Sequence, residues 1–276
     1  MTTRRQFIVA CSSGAVAFAE SLSALGQGGA ARGVRLRLAA SAGQAAADTL
    51  VEDLVAGNRI LAMEGVLDAM GHISVRHGTR PDHFLLARSM APELVTAADI
   101  MEYDLDGNAI DARDRTSYLE RFIHSEIYRV RPDVRAVVHC HTASLIPFAD
   151  SDVPLRAMYH MAAFVAEGVP VFDIRKAAGL TDLLVRDAPL GKALAKSLGQ
   201  KSAALMRGHG AVVVAASIPN VVGRSIYLDV NARAQAQAIA LGGKITYVEA
   251  DEAKLRMSDT NEYSRAWDLW KRKVAR

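Results

Sequence analysis

Cysteine is nearly absent: the 276 residues contain 2, Cys11 and Cys140. That excludes a disulfide-built scaffold and any CxxC zinc site. An excess of one charge is also missing, since 33 Lys and Arg against 30 Asp and Glu leave a net charge of +3. With no Lys/Arg run to track a phosphate backbone, the sequence argues against nucleic acid as a partner. No apolar run reaches the roughly 20 residues that span a bilayer, so no stable membrane anchor is expected. Beyond residue 40 there is no internal repeat, no low-complexity block and no Pro/Gly/Ser linker long enough to split the chain. What is present is 50% hydrophobic and 23% charged residues with 20 Gly, the composition of a folded soluble protein. Disordered, collagenous and coiled-coil chains are excluded. The length accommodates a sizeable core.

The N-terminus reads as an address. Arg4-Arg5 and Phe7 precede an apolar, small-residue stretch from Val9 to Ala19 that ends Ala17-Phe18-Ala19. Charged start, short apolar run and small-residue end make a secretory signal over residues 1–19. The Arg-Arg pair resembles a twin-arginine export signal, which implies the export machinery as a transient partner and a periplasmic or exported protein. Removing residues 1–19 takes away Arg4 and Arg5 and no acid, so the net charge drops from +3 to +1. Residues 20–40, with Gly26, Gly28, Gly29 and Gly33, read as a flexible linker. Residues 41–276 then form the folded domain with a helical tail.

Within that domain, apolar residues from Leu50 to Val66 recur at helical spacing, predicting one long helix or a broken pair over residues 45–70. His72–Arg76 and Phe84–Leu86 read as short strands, and Ile100–Leu105 as an alternating strand ending in the Asp106-Gly107-Asn108 turn. A helix over Leu119–Val130 closes at Pro132, and Val134–Val138 is a strand that runs into His139-Cys140-His141. Two more buried strands, Ala203–Met206 and Ala211–Val214, flank Arg207-Gly208-His209-Gly210. Helices over Asn220–Leu241 and Glu262–Lys273 follow. The pattern predicts one α/β domain with helices packed on a sheet.

Eight histidines are present, and three stand out. His139 and His141 are two apart on an extended segment, so both imidazoles project to one side. A strand end can then present them to one cation at about 2.0–2.1 Å. His209 lies between two glycines, where the backbone turns tightly and a neighbour can approach closely. Three histidines with an open fourth position are the layout of a catalytic metal site. Glu120 and His124 share a helical face at i, i+4. A helix returning onto the sheet can set the Glu120 carboxylate beside that cation as ligand or acid/base. Cys140, between two of the histidines, points to the opposite face and reads as a small buried hydrophobe.

Taken in order, Gly71-His72-Ile73-Ser74-Val75-Arg76, the Leu105–Asn108 turn, Glu120 with His124, Arg131-Pro132-Asp133-Val134, Val137–His141 and Gly208-His209-Gly210 resemble the class II aldolase/adducin superfamily. Its members include L-fuculose-phosphate aldolase and L-ribulose-5-phosphate 4-epimerase. The resemblance covers about residues 45–245. It implies a single-domain three-layer α/β/α sandwich with a central mixed, largely antiparallel sheet, and a homotetramer with active sites near subunit interfaces. It further implies one divalent metal ion per subunit, Zn²⁺ or Mn²⁺, held by His139, His141 and His209, with Glu120 as acid/base.

The sequence departs from the sugar-phosphate enzymes where they bind phosphate. His72 stands at an Asn position, Arg88-Ser89-Met90-Ala91-Pro92 in a Thr/Gly loop, and Tyr118-Leu119 in place of a Ser-Ser pair. Phosphate needs several convergent donors, and Leu119 has none. Arg76 and Arg88 could instead fork a carboxylate, with His72, Ser89, Tyr159 and His160 as further substrate contacts. These changes look like the superfamily's decarboxylase branch, which acts on hydroxylated pyridine or phthalate carboxylates. The expected activity is a metal-dependent carbon–carbon lyase that decarboxylates a hydroxylated aromatic or heteroaromatic carboxylate through a stabilised enolate. The alternatives are an aldolase or epimerase on a small sugar or hydroxy-acid, and a non-catalytic adducin-like binding domain. Tyr263, Trp267 and Trp270 form one helical stripe that packs on the domain or on a neighbouring subunit.

Overall fold

The computed structural model describes residues 28–257 and 263–275, with side chains from residue 45 onward. The expected signal over residues 1–19 lies outside the described residues. In chain order the elements are α1 (Gly28–Met63), β1 (His72–Arg76), β2 (His83–Ala87), β3 (Ile100–Asp104), α2 (Arg121–Val130), β4 (Ala136–Cys140) and α3 (Ile146–Ala149). They continue with β5 (Val171–Phe172), α4 (Arg175–Ala178), α5 (Ala188–Leu198), β6 (Ala203–Met206), β7 (Gly210–Ala215), α6 (Ile218–Ala240), α7 (Ala250–Arg256) and α8 (Ser264–Val274). The seven strands, the helices α2 to α8 and the part of α1 from Ala45 onward belong to the compact unit Ala45–Arg276.

The seven strands lie in the order β3-β2-β1-β4-β7-β6-β5. Every pairing is antiparallel except β5 with β6, which is the expected mixed, largely antiparallel sheet. The two central strands β4 and β7 are buried at every position. That explains why they read as unbroken apolar runs rather than as alternating ones. Alternation in β1 assigns the faces. Ile73 lies beneath α1 and α6, where Gly57 approaches Ile73, Ile218 and Val222. His72 and Ser74 face α2 and bond His124 there. Helix α5 backs α2, with Gly191 so close to the Phe122 carbonyl that an added Cβ would lie 2.4 Å from it. The result is three layers, α1/α6, sheet and α2/α5.

Three local differences from the sequence reading have physical causes. Helix α1 begins at Gly28, inside the segment read as linker, and ends at Met63; Ala-, Leu- and Arg-rich residues 30–47 favour helix strongly. From sequence, Phe164–Asp173 reads as a strand region following Tyr159 and His160, whereas the structure has a 3-10 turn over His160–Val165 followed by two-residue β5. Helix α5 was not anticipated, although its signals are in the sequence: Asp187 caps Leu190 N–H at 2.9 Å, Pro189 sits in the first turn, and Gly199 ends the helix at φ 54°.

The close pairing of β4 and β7 depends on Gly210, where an added Cβ would lie 2.0 Å from the Cys140 carbonyl oxygen. Gly210→Ala should therefore force the strands apart and lower Tm by about 10 °C, the result of roughly 3 kcal/mol of overpacking. Gly243→Ala, with nothing within 4 Å of its added Cβ, should leave Tm unchanged. Thermal denaturation of the two variants checks both.

Candidate active site

The C-terminal end of β4 and the turn before β7 bring three imidazoles together. His139 ends within β4, His141 follows it, and His209 is delivered by Gly208, whose φ of 62° turns the chain sharply into β7. Their Nε2 atoms lie close, His139 to His141 at 3.2 Å and His141 to His209 at 3.2 Å. Glu120, at the N-terminal end of α2, places Oε2 3.5 Å from His139 Nε2 and 3.4 Å from His209 Nε2. One ligand atom from each of the four residues falls within 4.8 Å of the others.

Each imidazole is held by its other nitrogen. His139 Nδ1–H donates to the Ala211 carbonyl at 3.1 Å and His209 Nδ1–H to the Leu183 carbonyl at 2.9 Å. His141 Nδ1–H donates to Asp68 at 3.1 Å. These contacts fix the tautomers, so three Nε2 lone pairs converge. Lone pairs 3.2 Å apart repel unless a cation lies between them. Donors bound tetrahedrally at about 2.0–2.1 Å are separated by about 3.3–3.4 Å, and four of the pair separations, 3.2 to 3.5 Å, lie near that spacing within a set that spans up to 4.8 Å. The donor set fits a divalent cation held by His139, His141 and His209, with Glu120 beside them.

The carboxylates are held ionised. Burial would push the Glu120 carboxyl up, but the adjoining His139 and His209 imidazoles outweigh it and bring it well below the usual range. Its other oxygen accepts Val185 N–H at 2.8 Å, which leaves Oε2 aimed at the histidines. Burial also opposes ionisation of Asp68, yet the N–H groups of Met70 and Gly71, with His141, hold its carboxyl low.

The remaining residues singled out from sequence divide. His72 stands opposite His139 in the β1–β4 register, is 2% exposed, and packs its ring 5.2 Å from that of His139 and 4.5 Å from Tyr118. It therefore borders the cluster. Arg76 does not reach it: its guanidinium is buried and donates to the carbonyls of Val134, Pro81, Tyr128 and Arg131. Four positions further along β1, four of its five N–H donors are committed to backbone, so no two-pronged carboxylate fork is left. Arg88 is paired with Asp99 at 2.7 Å, and Ser89 is exposed with its N–H on the Thr116 carbonyl. That loop is tied to Tyr118, which lies beside His72 and donates its hydroxyl to the Met90 carbonyl. Tyr159 and His160 are grouped with Tyr227 of α6 rather than with the cluster, because the 3-10 turn they open packs against α6. The Tyr159 hydroxyl is buried without a hydrogen-bond partner among the described residues, and burial pushes its phenol up to about 12. Sequence reasoning missed Asp68 and the Leu183 and Val185 backbone groups; all three act through chain geometry that no spacing reveals. Cys140 is buried, as expected. Tyr263, Trp267 and Trp270 are buried as well, with Tyr263 donating to the Met161 carbonyl at 3.1 Å.

Residues 52–236 match the family described as Class II Aldolase and Adducin N-terminal domain. The chain belongs to that family. It is 36% identical over 248 residues to Decarboxylase tropJ of Talaromyces stipitatus, covering 81% of this chain and 93% of the relative. It is 30% identical over 236 residues to 3,4-dihydroxyphthalate decarboxylase of Arthrobacter keyseri, covering 79% and 90%. The fold matches L-fuculose 1-phosphate aldolase from Glaciozyma antarctica with a TM-score of 0.69 at 24% identity, over 84% of this chain and 90% of that one. An aldolase II superfamily protein from Pseudomonas syringae matches at a TM-score of 0.70 and 22% identity, over 82% and 92%. The class II aldolase fold is thus carried with a Glu/His₃ cluster that could hold a metal.

Burial has a consequence for acid stability. The His124 imidazole is fully buried, and desolvation brings it down to about 3. Below about pH 6.5 the unfolded chain takes up a proton at this residue that the folded chain refuses. Stability should fall with pH from 6.5 downward, by about 2 kcal/mol at pH 5 from His124 alone. Urea unfolding at pH 7 and pH 5, above the carboxylate range, reads this directly, and a flat profile would count against it.

Proposed function

We propose that this protein is a metal-dependent carboxy-lyase acting on a hydroxylated aromatic or heteroaromatic carboxylate. The observation that carries the reading is the Glu/His₃ cluster joined to an altered phosphate region. Tyr118 is buried and its hydroxyl is committed to Met90, while Leu119 offers no donor. The similarity to decarboxylases that include 3,4-dihydroxyphthalate enzymes supports the same class. Met70, Leu119 and Leu180 are exposed at 68%, 45% and 96%, on the segments that carry Asp68, Glu120 and Leu183. Apolar surface left open on these segments suits a neighbouring subunit, in keeping with a homotetramer.

The chemistry breaks the bond between a ring carbon and its carboxylate, releasing CO2 and leaving an electron pair that must take up one proton. A divalent cation, Zn²⁺ or Mn²⁺, held by His139, His141 and His209 supplies a Lewis acid for the substrate's oxygens. Glu120, ionised at rest, takes the proton of a substrate hydroxyl at Oε2 and gives it to the ring carbon as CO2 leaves, while Val185 N–H keeps Oε1 fixed. Solvent later returns a proton to the product's phenolate. His72 lies on the adjacent strand, placed to contact the bound anion. Arg4, Arg5 and Phe7 support export to the periplasm, with the site loaded before translocation.

The test is the melting temperature of the metal-loaded protein against hydroxy-aromatic carboxylates and against sugar phosphates. A ligand at 100 times its Kd stabilises by about 2.7 kcal/mol, and only the aromatic acids should raise Tm. A shift with sugar phosphates alone would favour the aldolase reading instead.

A further inference from the structure

Behind His72 runs a hydrogen-bond chain that the metal cluster does not use. His72 Nδ1 lies 2.7 Å from His124 Nε2, His124 Nδ1 lies 2.6 Å from Ser74 Oγ, and Ser74 Oγ lies 2.8 Å from the Tyr128 hydroxyl. All four residues are at most 2% exposed. Arg76 caps the far end with its guanidinium 4.8 Å from the Tyr128 ring centre and a bond from Nη2 to the Tyr128 carbonyl at 2.7 Å. A polar chain in the layer between β1 and α2 is costly to bury unless every link is made, and apolar side chains could fill the same space.

The direction of the chain follows from counting protons. The Tyr128 hydroxyl has two acceptors in reach, Ser74 Oγ at 2.8 Å and the Arg135 carbonyl at 3.5 Å. The nearer has the ordinary O–H···O length and the other is at the limit of a hydrogen bond. Donation to Ser74 leaves the single Ser74 proton for His124 Nδ1. His124 must then carry its proton on Nε2 and donate it to His72 Nδ1. His72 in turn carries its proton on Nε2, which makes no hydrogen bond among the described residues, on a ring beside His139.

We infer that Tyr128, Ser74 and His124 are positioning residues that hold His72 as a neutral Nε2–H donor, aimed at an anionic oxygen of the substrate next to the metal cluster. The donor is fixed in tautomer and orientation before substrate arrives, so no reorganisation is needed on binding. Its target being a carboxylate or phenolate rests on the proposed function; the state of the ring does not.

Two readouts test the chain on the metal-loaded, full-length protein. First, ¹⁵N-histidine NMR of the zinc form reports which ring nitrogen of His72 is protonated, with no substrate present. The inference requires Nε2–H in the parent protein and a changed or averaged tautomer in His124→Phe. Second, kinetics compare His124→Phe, which has no donor for His72, with His124→Gln, whose amide reaches the same atom. The Phe variant should lose about tenfold to a hundredfold in kcat/KM, the worth of one hydrogen bond to a charged group. It should keep its metal, and the Gln variant should recover most of the loss. Tyr128→Phe, a milder change, should shift the His72 signals without unfolding the protein. An Nδ1–H tautomer in the parent protein overturns the inference, as does a Gln variant no better than Phe while both stay folded and metal-loaded. If no aromatic acid is turned over but His72 carries Nε2–H, the chain stands and the decarboxylase reading falls.

Discussion

Glu120→Gln is expected to keep the bound cation and lose turnover by about a hundredfold to ten-thousandfold, the contribution of a positioned general acid or base. The three Nε2 donors remain in place, each still oriented by Ala211, Asp68 or Leu183, so metal content should be unchanged. The amide oxygen can accept Val185 N–H as Oε1 does at 2.8 Å, which preserves the local fold. What the amide lacks is an anionic oxygen that can take up a proton and pass it on. Metal analysis and steady-state kinetics on the same preparation check both halves. Turnover within a few-fold of the parent would remove Glu120 from the chemistry.

His209→Ala is expected to have the opposite signature, loss of the cation first and of activity as its consequence. Removing Nε2 opens one vertex of a cluster whose neighbouring atoms lie 3.2–3.4 Å away, leaving two imidazoles and a carboxylate. Losing a partner that only orients a ligand already costs about 10–100-fold in metal affinity, so losing the ligand itself should exceed a hundredfold. The apo variant should also melt lower than the metal-loaded parent, since a cation bound to the folded form stabilises it. Full metal stoichiometry in His209→Ala, by elemental analysis after dialysis, would mean that the ligand set is wrong.

Much of this arrangement could be read from sequence because the signals were local. The strand into His139-Cys140-His141 needs only alternation to put two imidazoles on one side, and Gly208-His209-Gly210 marks a tight turn on its own. Helix α2 between Leu119 and Pro132 follows from periodicity and a breaker. The order of these motifs, rather than any one of them, carried the family and with it the sheet. The failures were of two kinds. Arg76 offered a guanidinium in a promising motif, but its neighbours in space are the carbonyls of residues 81, 128, 131 and 134, which no sequence spacing predicts. Tyr159 and His160 read from sequence as substrate contacts, whereas a 3-10 turn carries them against Tyr227. The groups that hold the ligands, Asp68 and the backbone of Leu183 and Ala211, act through tertiary placement alone.

Arg76 also shows how one residue changes meaning between the two levels. Read as a substrate fork, it belongs to specificity. In the fold it ties β1 to the end of α2 and stands over Tyr128, at the head of the chain that ends at His72. The segment Gly71–Arg76 thus carries His72 at one end, beside the Glu/His₃ cluster, and Arg76 at the other, packed over Tyr128.

The most direct test of the central claim is the product of turnover. The metal-loaded protein should release CO2 from a dihydroxylated phthalate or a related hydroxy-aromatic acid, mole for mole with substrate consumed. Release should stop on chelation and return with Zn²⁺ or Mn²⁺. Cleavage of a sugar phosphate or hydroxy-acid to an aldehyde, with no CO2 from any aromatic acid, would contradict the account and assign the cluster to aldol chemistry.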